Sequence, residues 1–540
     1  MGSTIPVQIV DGPDGCCYAL NSFGSSVSDG LSFDVDGQVA HDALDNVILG
    51  APYDGTSCAS NLLISTIDKL SGDILWHVYT NNCDVRSSYS CAAVSPDGGL
   101  VVYTTSSATS DPSSAVYFSL VDVNGSVTEL SWDVPDGNSK RVCHGAISKI
   151  SPDGVLKWCR PVLYGSIFNG SSVTISAYIK CISVGSNGNI FLGGNFRSSL
   201  RFPQADGQSI AIYASDDSLD GWDGTEQTSA GESVVAVLDS AGFYVKHLHS
   251  SDRVAYDYAD RMAFCNGNLF VLGHKLGPDD SDLCRVYCDC YDADLTPVFH
   301  TLFNSSTTEA TISSKLNAQN ESLQVFDGKV LIAGAVTGIL SSPTDESVRL
   351  ECKSKFLQGY VAVLDASSGL VSAIGQNDFY ITKFYGAYPC SDGSFWVLGY
   401  GSPVADANLS SQYNFYHFDS NLVKSGIVKP VATGGTLMMA SQPLVCDSLF
   451  IVNVRCGQSR KSVPLCLFDS QNSESALQTA APTNWASTVA CFSMRAPDAC
   501  RSVLAYDWRH SQTFSLSGFR LFSPDRTGLF VVDGKLKFCR

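Results

Sequence analysis

Residues 235–248, VAVLDSAGFYVKHL, read as a β-hairpin. Val235 and Val237, then Tyr244 and Lys246, alternate with period two, and Asp239-Ser240-Ala241-Gly242 supplies the turn between them. An Asp at the end of the first strand can accept hydrogen bonds from backbone N–H groups two residues on, which fixes the turn. The unit recurs with its acid at Asp11, Asp68, Asp122, Asp292, Asp365, Asp419 and Asp469, and in degenerate form over 146–158. Self-similarity at a period of roughly 50–80 residues marks a propeller or a solenoid.

A second unit lies between these hairpins. It runs apolar, turn, apolar and ends in glycine: VGSNGNIFLGGNF (184–196), AFCNGNLFVLG (263–273), VFDGKVLIAG (325–334) and YPCSDGSFWVLG (388–399). The N-G and D-G bends are strong hairpin signals, and the closing glycine suits a strand against which another backbone crowds. An inner hairpin followed by an outer one makes a four-stranded blade. Inner segments near Val47, Val94, Val184, Phe264, Val325, Cys390 and Val445 precede outer hairpins at Asp68, Asp122 or Ser151, Asp239, Asp292, Asp365, Asp419 and Asp469. The stretches 489–511 and 519–532 supply a further blade. The expectation is an all-β chain forming a single β-propeller over residues 1–540, with eight four-stranded blades and seven as the alternative. The Asp11 hairpin would close the ring against the C-terminal strands and remove exposed sheet edges. Polar stretches at 105–114, 133–140, 206–232, 304–320 and 341–356 are expected as inserted loops that form a binding face.

Composition narrows the function. The 540 residues carry a net charge of -19, which disfavours nucleic acid as a partner because the phosphates would be repelled. No apolar run reaches the ~18 residues of a membrane span, so no membrane insertion is expected. The start, MGSTIPVQIV, lacks the basic and apolar regions of a signal peptide. That leaves two readings open, a trimmed mature chain and a cytoplasmic protein. The 20 cysteines fit disulfides in an oxidising compartment, with Cys16-Cys17, Cys83, Cys91, Cys491 and Cys500 near turns. Cys181, Cys265 and Cys466 fall in apolar strands and read as small buried hydrophobes. Glycosylation sequons begin at Asn124, Asn169, Asn304, Asn320 and Asn408, a number expected by chance in a chain this rich in Ser and Thr.

One stretch carries a nameable motif. FGSSVSDGLSFDVDGQVAHDALDNVILGAPYDG (23–55) resembles the FG-GAP repeat of the integrin α-subunit propeller through Phe23-Gly24 and Gly50-Ala51-Pro52, with an Asp-rich loop between them. The resemblance implies a Ca2+ loop with Asp34, Asp36 and Asp45 at ligand positions and Gly37 at the bend. Ca2+ takes about 6–8 oxygens, which closely spaced carboxylates provide. The chain departs from the family at Ser32, which takes the first ligand position, and in the longer spacer 38–44. The same residues also read as an Asp-capped turn. GNIFLGGNFRSSLRF with VVAVLDSAG is similar to bacterial-type propeller repeats, and LISTIDKLSGDILWHV resembles the tryptophan-docking repeat of quinoprotein-like propellers. The latter implies that Trp76 packs between blades. Only Trp76 and Trp158 fall at that position, so no organic cofactor is expected.

Other clusters offer weaker chemistry. Asp216, Asp220 and Asp223, with Asp217 beside them, form a second acidic loop with metal-ligating types, or simply a solvated loop; Asp279, Asp280 and Asp282 read as solvated. His247 and His249 share one strand face, a chelating arrangement or an ordinary outer strand. Cys284, Cys288 and Cys290 lack a fourth zinc ligand at matching spacing and read as disulfides or core thiols. No G-x-S-x-G, H-E-x-x-H or phosphate-cradling G-x-x-x-x-G-K motif occurs. The expected function is a non-catalytic propeller at a cell surface or in an extracellular assembly, binding a protein or glycan partner through its loops. The alternatives are a propeller hydrolase or lyase with an axial acidic pocket, and an intracellular or viral structural component.

Overall fold

The structure is a computed structural model. It describes residues 3–24 and 61–430 apart from connecting segments, the longest being 132–142, 215–230, 309–317 and 402–411, and otherwise only the strands within 34–39 and 432–539. Every regular element among the described residues is a β-strand, and every described pairing is antiparallel. No described helix is long and apolar enough to cross a membrane. The chain divides into two compact units, one of residues 1–161 with 429–540 and one of 162–428.

In the first unit, Ser3–Asp11, Cys16–Gly24, Asn61–Asp68 and Ile74–Thr80 run in order as the first sheet. Cys91–Val94, Leu100–Ala108, Cys143–Ile150 and the strand Leu156–Tyr164, which crosses the division, form the second. Leu449–Gln458 pairs with Gly435–Met439, Leu444–Cys446 and Ala486–Ser493. The second unit holds four further meanders. The third sheet is Ala177–Val184, Ile190–Phe196, Glu232–Leu238 and Tyr244–His249; the fourth is Asp257–Cys265, Asn268–Leu276, Cys284–Asp292 and Pro297–Leu302. The fifth is Ala318–Phe326, Lys329–Val336, Gln358–Asp365 and Val371–Gly375; the sixth is Lys383–Pro389, Phe395–Gly401, Gln412–Phe418 and Lys424–Pro430. Four-stranded meanders of this kind are the blade unit of a propeller-like fold.

The turn chemistry follows the sequence. Asp239 Oδ1 accepts from the N–H groups of Ala241 and Phe243, each at 2.9 Å. Asp122, Asp292 and Asp419 do the same in their turns. Asp365 is held down to about 2 by hydrogen bonds from Ser367 and Ser368. Trp76 packs as the resemblance implied: it is buried against Tyr18, and its Nε1 donates to the Pro152 carbonyl of the second sheet at 2.8 Å.

Three expectations change. The Asp11 hairpin pairs with the Asp68 hairpin, through Cys16↔Asp68 to Phe23↔Asn61; no described pairing joins it to the C-terminal strands, although Ile9 and Cys17 share a core with Ile451 of one of them. It is therefore the inner half of the first sheet. Second, short parts of the polar sequence read as loop are strand. Ser209–Tyr213, Asn304–Ser306 and Arg349–Glu351 lie in the stretches 206–232, 304–320 and 341–356, and Leu100–Ala108 runs into 105–114. The physical reason is a recurring inserted hairpin. Between the second and third strands of a sheet, the chain makes a hairpin that pairs with the last strand of the preceding sheet or with its continuation. Val116–Val121 bonds Ile74–Thr80, Ser199–Pro203 bonds Leu156–Tyr164, Ile339–Ser341 bonds Asn304–Ser306, and Leu465–Phe468 bonds Ala432–Thr433.

Third, no disulfide is seen among the twelve described cysteines, including Cys16, Cys17 and Cys91 near turns. Cys284, Cys288 and Cys290 alternate along one strand into a core with Phe270, Val330, Ile332 and Cys352, where each packs as a small apolar side chain. Cys83, Cys466, Cys491 and Cys500 lie outside the described side chains.

Candidate functional site

The closing glycines of the second repeat locate the site. In the third to sixth sheets, the second strand carries Gly194, Gly273, Gly334 and Gly399, paired with Ile179, Ala259, Asn320 and Phe384 of the first strand. Immediately after each of these pairs the register of the first strand slips by one residue. The slip is a β-bulge, which leaves one residue unpaired and re-aims its side chain. A Cβ on Gly194, Gly273 or Gly334 would run into the carbonyl oxygen of Tyr178, Tyr258 or Gln319 respectively, so only glycine lets the bulged backbone come that close. At Gly399 the crowding atom is the Phe384 ring, at 2.6 Å.

The four residues left out of register are Lys180, Asp260, Glu321 and Tyr385. The neighbouring first strands pack on one another, so these residues and their flanks meet. Lys180 Nζ lies 3.5 Å from Asp260 Oδ1. Asp260 Oδ2 accepts from His274 Nδ1 at 2.6 Å and from Asn320 Nδ2 at 2.9 Å, and Tyr360 donates to Asn320 Oδ1 at 2.5 Å. Burial pushes the Asp260 carboxyl up, but His274, Lys180 and Asn320 together outweigh it and hold the carboxyl below the usual range. An ionised carboxylate only accepts, so His274 donates to it through Nδ1, which leaves Nε2 as the ring's other nitrogen. Among the described residues nothing bonds that Nε2. The His274 ring stacks on Tyr258 at 5.0 Å, and Lys180 Nζ lies 4.4 Å from the centroid of the same Tyr258 ring.

The next pair along the row is equally polar. Arg261 donates from Nη2 to Glu321 Oε2 at 2.9 Å, from Nε to the Glu321 carbonyl at 2.9 Å and from Nη1 to the Asp260 carbonyl at 2.8 Å. Lys383 Nζ closes on Glu321 Oε1 and lies 5.1 Å over the Tyr385 ring. Tyr385 then packs on Tyr413 at 5.5 Å, and Tyr413 on Tyr400 at 4.9 Å. Burial, then Tyr413, pushes the Tyr385 hydroxyl well up, so it stays protonated as a donor. The row therefore offers fixed ammonium groups, an open imidazole nitrogen and tyrosine faces.

The residues singled out from sequence lie elsewhere. Asp34 pairs with Val39 in a two-residue strand, and Ser32, Asp36 and Asp45 lie outside the described residues, as do Asp216, Asp220, Asp223, Asp279, Asp280 and Asp282. The His247 and His249 rings stack at 5.4 Å, with His247 Nδ1 against Tyr244 Oη and His249 Nδ1 against Glu232 Oε2. No group of three or more metal-ligating side chains gathers among the described residues. Asn320, read as a glycosylation sequon, is buried inside the site with its amide bonded at both ends; Asn124 and Asn304 are exposed.

No family model matches the chain, and no curated protein matches it. Solved structures with similar coordinates include a Synechocystis apocarotenoid oxygenase variant, with 9% identity, 91% of this chain and 96% of that one covered, and a TM-score of 0.36. A Bacteroides caccae protein of unknown function gives 10%, 67%, 88% and 0.29 for the same measures. BamB from Moraxella catarrhalis gives 12%, 71%, 98% and 0.23. Likenesses this distant carry no argument about activity. The class of the chain, all-β and propeller-like, rests on its own sheets.

Proposed function

We propose that this protein is a propeller-type binding scaffold, set at a cell surface or in an extracellular assembly, that takes a glycan on the bulged first strands of residues 162–428. The observation that carries the reading is the row Lys180, Asp260, Glu321 and Tyr385, presented by four bulges in a row on adjacent strands. Polar groups fixed by buried partners, interleaved with tyrosine faces, suit a ligand with many hydroxyls and apolar C–H faces. With no disulfide seen among the described cysteines, one support for an oxidising compartment is withdrawn, and the setting rests on the acidic charge and the integrin-like stretch. The test is calorimetric titration with a panel of neutral and acidic oligosaccharides. Binding is expected, with a loss of about tenfold or more in Tyr385→Ala under conditions where its melting curve shows the variant folded. A panel that gives no heat, or a variant that binds as the parent does, refutes this reading.

A second reading is enzymatic, as a hydrolase or lyase. It is favoured by His274, whose Nδ1 is fixed by the buried Asp260 while Nε2 has no partner among the described residues. That is how a carboxylate orients an imidazole for general-base work. Asp257, at the start of the same strand, has its carboxyl pushed up by burial while that of Asp260 is held down. Mass spectrometry of the same panel after long incubation decides it: cleavage that disappears in His274→Ala makes the protein an enzyme.

A further inference from the structure

Charge is distributed unevenly across this row. Three cations, Lys180, Arg261 and Lys383, meet two carboxylates, Asp260 and Glu321. The carboxylates are the deeper members. The Asp260 side chain is 6% exposed and Glu321 15%, against 28% for Lys180, 21% for Arg261 and 28% for Lys383. These five groups carry one net positive charge, in a chain whose net charge is -19. The cations are the more exposed members of the row.

The cations are not equally engaged. Arg261 uses Nε, Nη1 and Nη2 on the protein's own oxygens and acts as a strut between the fourth and fifth sheets. Lys383 is closed onto Glu321. Lys180 makes one contact at 3.5 Å, the outer limit of a hydrogen bond, and rests on the Tyr258 ring. An ammonium has three N–H donors, so Lys180 keeps donors for a ligand. Asp260 holds it in place, while His274 and Asn320 share the rest of that carboxylate's acceptor capacity.

We infer that the site is built for an acidic saccharide, with one sugar carboxylate seated on Lys180 and the sugar ring against Tyr258 or Tyr385. This rests on the glycan-binding reading above and narrows its ligand class. A neutral sugar would leave the surplus charge uncompensated, whereas a sugar carboxylate would pair with the donors that Lys180 keeps.

The test uses the full chain and two probes of equal length, tetragalacturonate and a neutral galactose tetrasaccharide, with oligoglutamate as a peptide control. The tetragalacturonate is expected to bind at least about tenfold tighter than the neutral probe, the scale of a charge-assisted contact. Its affinity should fall as salt rises, and Lys180→Met should remove the preference while Lys180→Arg restores most of it. Equal binding of the acidic and neutral probes overturns the acidic-ligand inference and leaves glycan binding standing. Oligoglutamate binding without tetragalacturonate binding overturns it in favour of a peptide partner. Silence from every probe overturns both readings. The probe comparison and salt series need only the parent protein, so a variant that misfolds does not blunt them.

Discussion

Asp260 is the residue on which the site depends. Buried ions cost several kcal/mol unless charge and hydrogen bonds compensate them, and Asp260 has both from Lys180, His274 and Asn320. Replacing it by leucine leaves those three partners facing an apolar group, and the expected loss of stability is about 3–5 kcal/mol by urea unfolding at pH 7. Asp260→Asn should lose less and give the pH signature. The folded carboxyl lies below its ordinary value, so its ionic contribution is present above the unfolded pKa of about 3.9 and lost as pH falls through the folded value. The gap between parent and Asp260→Asn should therefore narrow in acid; a gap that stays constant to low pH would mean that the carboxylate is not what stabilises the fold. The glycines allow a matched comparison. Gly267→Ala meets open space but a φ of +82°, a left-handed strain of about 1–2 kcal/mol. Gly273→Ala has no such φ but collides with the Tyr258 carbonyl and the Tyr287 ring, so it must undo the bulge. It is expected to cost more than Gly267→Ala and, unlike that variant, to weaken ligand binding. The residues of the site were not legible one by one. Lys180, Glu321 and Tyr385 sit in ordinary alternating strands, and a bulge is a slip of register that no residue type announces. The closing glycines were legible, and they mark where the slip occurs.

At the scale of elements, the Asp-turn hairpins were readable because their chemistry is local: an acid, two N–H groups and a glycine close in sequence. The inserted hairpins were not, because what makes them strands is a partner far along the chain. SIAIY, at Ser209–Tyr213, is five residues of polar context until Ser199–Pro203 pairs with it and, in turn, with Leu156–Tyr164. This hairpin also contributes to the core. Phe202 is fully buried and stacks on Tyr244 at 6.0 Å. Phe202→Ala is accordingly expected to cost about 3–5 kcal/mol, read from the urea midpoint, as for a core aromatic. A loop residue in the same place would change stability by less than about 0.5 kcal/mol, and a result in that range would show that the hairpin does not fasten one sheet to the next.

At the scale of the whole molecule, the sequence identified an all-β chain of repeated hairpins, because period-two alternation and turn residues repeat throughout. It read Cys181 and Cys265 correctly as apolar strand residues but misjudged Cys16, Cys17 and Cys91, because count and placement near turns say nothing of the distance between thiols in space. The structure makes that a measurable property of the full chain. Its twelve described cysteines show no disulfide among them and none is fully exposed. Burial pushes the thiols of Cys181, Cys284 and Cys352 up to about 12 and those of Cys159 and Cys290 to about 11. Thiolate, not thiol, attacks disulfide and alkylating reagents, so these groups should be silent in the folded protein at pH 8. Unfolding restores them to the ordinary value of about 8.5 and exposes them together. Titration with a chromogenic disulfide reagent, without reductant, should therefore give a slow, sparse reaction in buffer and at least twelve equivalents at once in guanidinium. Fewer than twelve in denaturant would mean that some of these sulfurs are bonded to one another. A fast, full reaction in buffer would mean that the sheets open far more readily than their buried cores imply.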